Sequence, residues 1–225
     1  TDLVAVGYGS YDFANASQNG GLICCFSLKN TSHPEYIIET DSGVMSLDFH
    51  TTHSSLLCVG MYDGSVSVYE VRNKSGVPIY TSSDPTVKHT DPVWQVYWNR
   101  EKKEADKDIF FYSVSSDGRV TKWILSKNEL ICEEVVELKL KVDREDKETA
   151  SSLVGLAGGC CFDFAQDTNS FVVGTEEGSI QSYSNSYNST LQRSFQGHHM
   201  ATYAVRWNKF HPDVFLSCSA DWTVK

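Results

Sequence analysis

Four segments of this chain repeat one pattern, which is written most fully in Ser113-Val-Ser-Ser-Asp117-Gly118-Arg-Val-Thr-Lys-Trp123. The other three are Val59-Gly-Met-Tyr-Asp63-Gly64-Ser-Val-Ser-Val-Tyr69, Gly174-Thr-Glu-Glu177-Gly178-Ser-Ile-Gln-Ser-Tyr183 and Ser217-Cys-Ser-Ala-Asp221-Trp222-Thr-Val-Lys225. An Asp-Gly pair favours a tight hairpin turn, because glycine readily takes a positive φ. In the complete copies a tryptophan or tyrosine follows the acid by an even number of residues, which returns it to the face of the acid side chain. The four copies therefore predict four β-hairpins.

A second strand is predicted before each hairpin, from a short apolar run that ends on an aromatic residue. These aromatics are Phe49, Trp98, Phe164 and Trp207, and their separations of 49, 66 and 43 residues are compatible with a base period of about 40–45 residues plus insertions. The predicted repeats cover approximately residues 1–40, 41–86, 87–142, 153–195 and 196–225, the last one truncated. Residues 143–152 are expected to form a polar loop between two repeats.

This organisation resembles the WD-repeat family, whose blades are four-stranded sheets around a central channel. The Gly-His dipeptide of the family stands at Gly197-His198, and it stands as Lys88-His89 in an earlier repeat. The resemblance implies an all-β fold, a WD40-type β-propeller that is present here as an incomplete arc of about four to five blades.

The resemblance also implies a structural tetrad in which an aspartate holds a histidine, the histidine reaches a serine, and the serine reaches a tryptophan N–H. The matching positions in the third repeat are His89, Ser115 (or Ser113), Asp117 and Trp123, and those in the truncated repeat are His198, Ser219 and Asp221. The repeats of Asp63 and Glu177 depart from the pattern. They have no histidine at the matching position and a tyrosine in place of the tryptophan, so we expect them to depend on apolar packing.

Histidine, serine and aspartate are also the members of a hydrolase triad, and His89 with Ser115 is therefore an alternative catalytic site. A nucleophilic serine normally needs a strained, exposed turn and a nearby oxyanion hole. Ser115 instead lies within a predicted strand, and the sequence contains no G-x-S-x-G motif. The structural interpretation is favoured, and we predict no catalytic site.

Composition excludes several other classes of function. The net charge of −10 disfavours nucleic acid and anionic membranes as partners, and no apolar run approaches the length of a membrane span. The seven cysteines contain no C-x-x-C pair and are expected to be buried thiols. The histidines are not spaced as metal ligands, and no phosphate-binding glycine loop is present, so no metal or other cofactor is predicted.

A narrower resemblance is to dynein intermediate chains, especially those of the axonemal outer arm. It is carried by Leu3-Val-Ala-Val-Gly-Tyr-Gly-Ser-Tyr-Asp-Phe13, Lys88-His-Thr-Asp-Pro-Val-Trp-Gln-Val96, Val173-Gly-Thr-Glu-Glu-Gly178 and Ser217-Cys-Ser-Ala-Asp-Trp-Thr-Val224. The resemblance implies a non-catalytic scaffold of a motor complex in the cytoplasm and cytoskeleton of the ciliary axoneme. Its partners would be the dynein heavy-chain tail, a second intermediate chain and, through the complex, the doublet microtubule.

Light chains would bind a region that is not present here, and the start at Thr1 without a methionine suggests a piece of a longer chain. Trp94 and Tyr203, near the head of a predicted first strand, are candidates for a partner-binding rim. The alternative function is that of a WD-repeat adaptor in another complex, such as a ubiquitin ligase or a trafficking scaffold.

Overall fold

The computed structural model describes residues 2–9, 20–73, 75–82, 84–100, 109–127, 129–140, 155–165, 170–185 and 189–225. Within these ranges the chain forms strands and no helix, and so contains no helix that could cross a membrane. The prediction of an all-β fold is confirmed. The polar loop predicted at residues 143–152 lies outside the described residues, and the repeat boundaries stay a prediction.

Five sheets follow one another along the chain, and the strands in each sheet are ordered as in the sequence. The sheets consist of β1 (Leu3–Gly9), β2 (Gly21–Ser27) and β3 (Tyr36–Thr40); β4 (Val44–Phe49), β5 (Leu56–Met61), β6 (Val66–Glu70) and β7 (Tyr80–Thr81); β8 (Val93–Trp98), β9 (Ile109–Ser115), β10 (Arg119–Leu125) and β11 (Leu130–Glu137); β12 (Gly159–Phe164), β13 (Ser170–Thr175), β14 (Ser179–Ser184) and β15 (Leu191–Gln196); and β16 (Thr202–Trp207) and β17 (Phe215–Ser219). Each strand therefore pairs with its neighbour in sequence, which is the topology of a propeller blade.

The chain divides into two compact units. The first unit comprises Thr1–Ser113 and Thr121–Glu133, and the second comprises Val114–Val120 and Glu134–Lys225. In the first unit, apolar side chains of consecutive sheets pack together, as in the cluster of Cys58, Val66, Val68, Val93, Val96, Trp98, Phe111 and Trp123. In the second unit the corresponding cluster is Cys161, Val172, Ile180 and Val205. Burial between adjacent sheets is thus what joins one repeat to the next within each unit.

The predicted hairpin turns are present in all four copies of the pattern. Gly64, Gly118 and Gly178 have φ values of 85°, 81° and 87°, in the left-handed region that glycine enters without steric cost. The fourth turn has a φ of 65° at Trp222, which is the one non-glycine residue with positive φ among the described residues.

A β-bulge recurs near the start of the first strand of three sheets. The registers pass over one residue in each case, and these residues are Met45, Cys160 and Tyr203. Because a bulge changes the direction of the side chain that it carries, Tyr203 departs from the alternation of its strand.

Two aspartates, each on the first strand of its sheet, bind the backbone of the sheet that follows. The Asp48 carboxylate on β4 accepts the backbone N–H of Trp98 at 2.8 Å, within the first unit. In the second unit the Asp163 carboxylate on β12 accepts the N–H of Trp207 at 2.7 Å. Each clamp satisfies a backbone donor at the end of a first strand through the preceding sheet.

Replacement of Asp163 tests this clamp. Asp163→Ala removes the acceptor of the Trp207 N–H and is expected to lower the free energy of unfolding by about 1–3 kcal/mol. Asp163→Asn retains a carbonyl acceptor and is expected to cost less. Thermal unfolding and hydrogen exchange at the Trp207 amide measure the effect, with the exposed Asp213→Ala as the control. Unchanged exchange at Trp207 in Asp163→Ala would contradict the assignment.

Candidate functional site

A buried hydrogen-bonded group lies at the centre of the third sheet. His89 precedes β8, Ser113 lies on β9 and Trp123 lies on β10, and all three side chains are buried. The Ser113 hydroxyl lies 2.7 Å from His89 Nε2 and accepts the indole N–H of Trp123 at 2.7 Å. A single hydroxyl therefore ties the loop before the first strand to the second and third strands.

The serine of this group is Ser113, which the sequence offered as the alternative to Ser115. The two side chains share one face of β9, since they are two residues apart. Ser115 is nearer the turn, where its hydroxyl accepts the backbone N–H of Asp117 at 3.2 Å. Asp117 itself accepts the N–H of Arg119 at 3.0 Å and binds its guanidinium at 2.8 Å. The pair of Ser115 and Asp117 thus stabilises the hairpin turn.

The truncated repeat forms the same kind of group. His198 Nδ1 lies 3.0 Å from the Asp221 carboxylate, and His198 Nε2 lies 2.8 Å from the Ser217 hydroxyl. The serine that bonds His198 is therefore Ser217, and the prediction of Ser219, two residues nearer the turn, is wrong. Its hydroxyl donates to the Met200 carbonyl at 2.8 Å, which holds the turn against the loop before β16.

The Asp221 carboxylate is held in its ionised form. The Thr223 hydroxyl donates to it at 2.6 Å, and this hydrogen bond is the main reason that the pKa of Asp221 is lowered from its usual value. Desolvation acts in the opposite direction, while the Thr223 and His199 backbone N–H groups and the His198 side chain lower the pKa further. A carboxylate with these donors orients the histidine toward Ser217.

The repeats that have tyrosine in place of tryptophan contain different polar groups. Tyr183 donates to the side-chain oxygen of Gln181 at 2.5 Å, and the Gln181 amide donates to the Lys139 carbonyl at 3.0 Å. In the second repeat the buried Ser67 hydroxyl donates to the Thr81 hydroxyl at 3.0 Å. The expectation of apolar packing alone was therefore incomplete. The signal in the sequence was a polar residue two positions before each tyrosine, on the same face of the strand.

The chemistry available to the His–Ser–Asp set is limited by its burial. The Ser113 hydroxyl is enclosed and already engaged by His89 and Trp123, which are side chains of the same repeat. A nucleophile has to come within reach of the bond that it attacks. The arrangement therefore acts as a satisfied polar network that connects strands.

The cysteines are free thiols, and most of them are buried. Burial raises the pKa of Cys160 and Cys161 to about 12, so these thiols stay protonated near neutral pH. Within the described residues no cluster of histidine, cysteine or acidic side chains has the geometry to hold a metal ion.

The predicted rim residues differ in exposure. Trp94 on β8 is half-buried, whereas Tyr203 on the bulge of β16 is 55% exposed. The assignment of either residue to a partner stays a prediction.

Sequence comparisons connect this architecture with known proteins. The WD domain, G-beta repeat family matches residues 32–70 and 189–225. The chain is 49% identical over its whole length to "Dynein intermediate chain 2, ciliary" of Heliocidaris crassispina, of which it covers 32%. It is 48% identical over 97% of its length to the "78 kDa intermediate chain, flagellar outer arm" dynein protein of Chlamydomonas reinhardtii. It is 44% identical over its whole length to "Dynein axonemal intermediate chain 1" of Bos taurus. The chain spans 32% of the length of each of these three relatives.

Solved structures establish the fold class. The WD40 propeller of Doa1 aligns with 99% of this chain at a TM-score of 0.64 and 18% identity, and 60% of that protein is covered. The Cps50 (Swd1) propeller domain aligns with 98% at a TM-score of 0.66 and 12% identity, again with 60% covered. The prediction of a WD40-type β-propeller is confirmed, and the five sheets correspond to its blades.

Substitution of each serine by alanine tests whether Ser113 or Ser115 belongs to the buried network. Ser113→Ala leaves His89 and the Trp123 indole N–H without their shared partner and is expected to lower the free energy of unfolding by about 1–3 kcal/mol. Ser115→Ala removes the turn contact and is expected to cost less. Denaturation monitored by tryptophan fluorescence ranks the two variants. A larger loss in Ser115→Ala would contradict the assignment of Ser113.

The lowered pKa of Asp221 predicts a pH dependence. Its folded pKa lies below the unfolded value of about 3.9, so its contribution to stability is full above that pH and is lost as the pH falls toward the folded pKa. The difference between the melting temperatures of the wild type and Asp221→Asn is thus expected to be constant from pH 7 to about pH 5 and to shrink progressively as the pH falls below about 4. A difference that stays constant between pH 7 and pH 3 would show that the charge of Asp221 does not stabilise the fold.

Proposed function

We propose that this chain, a WD-repeat segment whose close relatives are axonemal dynein intermediate chains, is a non-catalytic scaffold of an axonemal dynein motor complex. The observation that carries the proposal is the identity of 44–49% to ciliary and flagellar intermediate chains over nearly all of its residues. Similarity of this kind extends through loops and turns, where WD repeats of unrelated function differ.

The architecture supports a role in binding. The polar side chains that look most catalytic in the sequence are buried in structural networks, as at Ser113 and Ser217. Short loops at the ends of rigid sheets remain available for contact, which is how propellers present binding surfaces. A scaffold needs this combination of a fixed frame and exposed loops.

The proposed partners are the dynein heavy-chain tail and a second intermediate chain, with attachment to the doublet microtubule through the complex. Light chains would bind a part of the protein outside this segment. The proposed location is the ciliary or flagellar axoneme. Because the chain carries a net charge of −10, a partner surface rich in lysine or arginine would be complementary to it. Trp94 and Tyr203 are proposed to contribute to the rim that meets a partner.

Fractionation of axonemes tests the proposal. Tagged full-length protein is expected to be extracted with dynein heavy chain at high salt and to sediment with it as one complex. The matched control is the same protein lacking the segment of residues 1–225, which is expected to separate from the heavy chain. Association with a ubiquitin ligase or a trafficking coat, without heavy chain, would overturn the proposal in favour of a WD-repeat adaptor.

A further inference from the structure

The loop between β4 and β5, residues 50–55, is ordered by a histidine side chain. His50 Nδ1 lies 3.1 Å from the backbone nitrogen of Thr52 and 3.0 Å from that of His53. The Thr52 hydroxyl lies 3.1 Å from the same ring nitrogen. Because a backbone N–H can only donate, Nδ1 is an acceptor here, and the neutral ring carries its proton on Nε2. The cap therefore exists only while His50 Nδ1 is unprotonated.

The loop between β16 and β17 has the same hydrogen bonds with a different cap. Asn208 Oδ1 accepts the N–H of Phe210 at 2.7 Å and that of His211 at 3.2 Å. In both loops the N–H of the capping residue donates to the carbonyl six residues later. In both, the carbonyl of the third residue after the cap (His53 or His211) accepts an N–H from the sixth. A side-chain amide keeps its acceptor oxygen near neutral pH, whereas an imidazole gains a proton as the pH falls.

The histidine cap also contacts the next sheet. The half-buried ring of His50 packs edge-on against the indole of Trp98 on β8, with the ring centroids 4.9 Å apart. Trp98 is fully buried, and its indole N–H donates to the Asp48 carbonyl at 2.8 Å. His50 therefore lies where the second and third sheets meet, and a change in its position acts on that junction.

Charged groups approach His50 from several elements of the described chain. His53 lies in the same loop, with its ring centroid 5.0 Å from that of His50. Asp48 lies on β4, and its carboxylate accepts the Trp98 N–H at 2.8 Å. The same carboxylate lies 3.5 Å from the guanidinium of Arg100, which follows β8. The carboxylate nearest in sequence to His50 is thus already engaged by a backbone donor and a cation.

The end of β6 meets the far end of the loop. The Val71 N–H donates to a loop carbonyl at 2.9 Å, with Glu70 and Arg72 on either side in the sequence. In these surroundings burial lowers the pKa of His50 below its usual value of about 6.5, and the neighbouring His53 lowers it further. The ring is therefore neutral at pH 7, which is the state that the cap requires.

We propose that the loop of residues 50–55 is a pH-sensitive element at the junction of the second and third sheets. A proton from solvent binds His50 Nδ1 and turns this nitrogen from an acceptor into a donor. The N–H groups of Thr52 and His53 then lose their acceptor, and the loop opens. Every group in the element belongs to this chain, so the inference is independent of the proposed partners.

The direction of the pH effect follows from the lowered pKa of His50. The opened loop binds a proton with the ordinary pKa and the closed loop with the lowered one. The free energy of opening is therefore full above about pH 6.5 and declines as the pH falls toward the lowered pKa. Acidification opens the loop, and neutral pH closes it.

Hydrogen exchange in the full-length protein, resolved by residue and labelled from milliseconds onward, measures this opening. The observable is the protection factor, the ratio of the intrinsic to the observed exchange rate, which removes the direct effect of pH on exchange. At the Thr52 and His53 amides it is expected to fall by about two- to ten-fold between pH 7.5 and pH 5, as for the loss of one hydrogen bond. The internal reference is the pair of Phe210 and His211 amides, whose protection is expected to stay constant.

Three variants assign the effect to the cap. His50→Asn supplies the cap that Asn208 provides in the other loop, and is expected to keep the protection seen at pH 7.5 and to remove its dependence on pH. His50→Ala is expected to give low protection at both pH values. His53→Asn keeps the cap and removes only the neighbouring imidazole, so the fall is expected to remain and to be centred at a higher pH.

The contrary results are equally distinct. Wild-type protection at Thr52 and His53 that stays constant down to pH 5 overturns the proposal. A fall of the same size in His50→Asn assigns the pH dependence to another group and overturns it as well. An equal fall at Phe210 and His211 shows a general loosening of the fold in place of a local element.

Discussion

The hydrogen bond between a buried histidine and a serine on the second strand is the interaction on which the third repeat and the truncated repeat depend. It joins His89 to Ser113 at 2.7 Å and His198 to Ser217 at 2.8 Å. A buried imidazole or hydroxyl without a partner would lose its hydrogen bonds to water and gain none in the protein. A network that is only partly formed therefore destabilises the sheet. The histidine arrives from the loop before the first strand, and the bond therefore sets where that strand begins.

The repeats without histidine show that a sheet needs hydrogen-bond partners for its buried polar atoms, and that different residues can supply them. Gln181, which accepts the Tyr183 hydroxyl, donates to the Lys139 carbonyl, and Ser67 donates to the Thr81 hydroxyl. These groups are centred on the third strand of the sheet, whereas the His–Ser–Trp group also engages the loop before the first strand. The sheets therefore have the same topology but different internal connections. This difference explains how repeats of low mutual similarity build one architecture.

Because buried networks stabilise the sheets, the residues of the hairpin turns can differ between repeats. The turn at Asp221 keeps the carboxylate that orients His198 and carries an indole where its counterparts carry glycine. The acid of the turn is thus a fixed part of the network, whereas the residue after it differs between repeats.

Local physical rules determined the strands, the hairpins and the class of fold from the sequence alone, because the two-residue alternation of a strand and the positive φ of glycine act over a few residues. The hairpin pattern also identified the acids of the turns, whereas the histidines were identified through the resemblance to WD repeats. Only the tertiary structure showed that Ser113 bonds His89 and that Ser115 bonds the turn, because both side chains lie on one face of the strand and differ only in their distance from the turn. The Gln181 network was likewise decided by a contact between residues that are distant in sequence, and alternation within one strand carries no information about it.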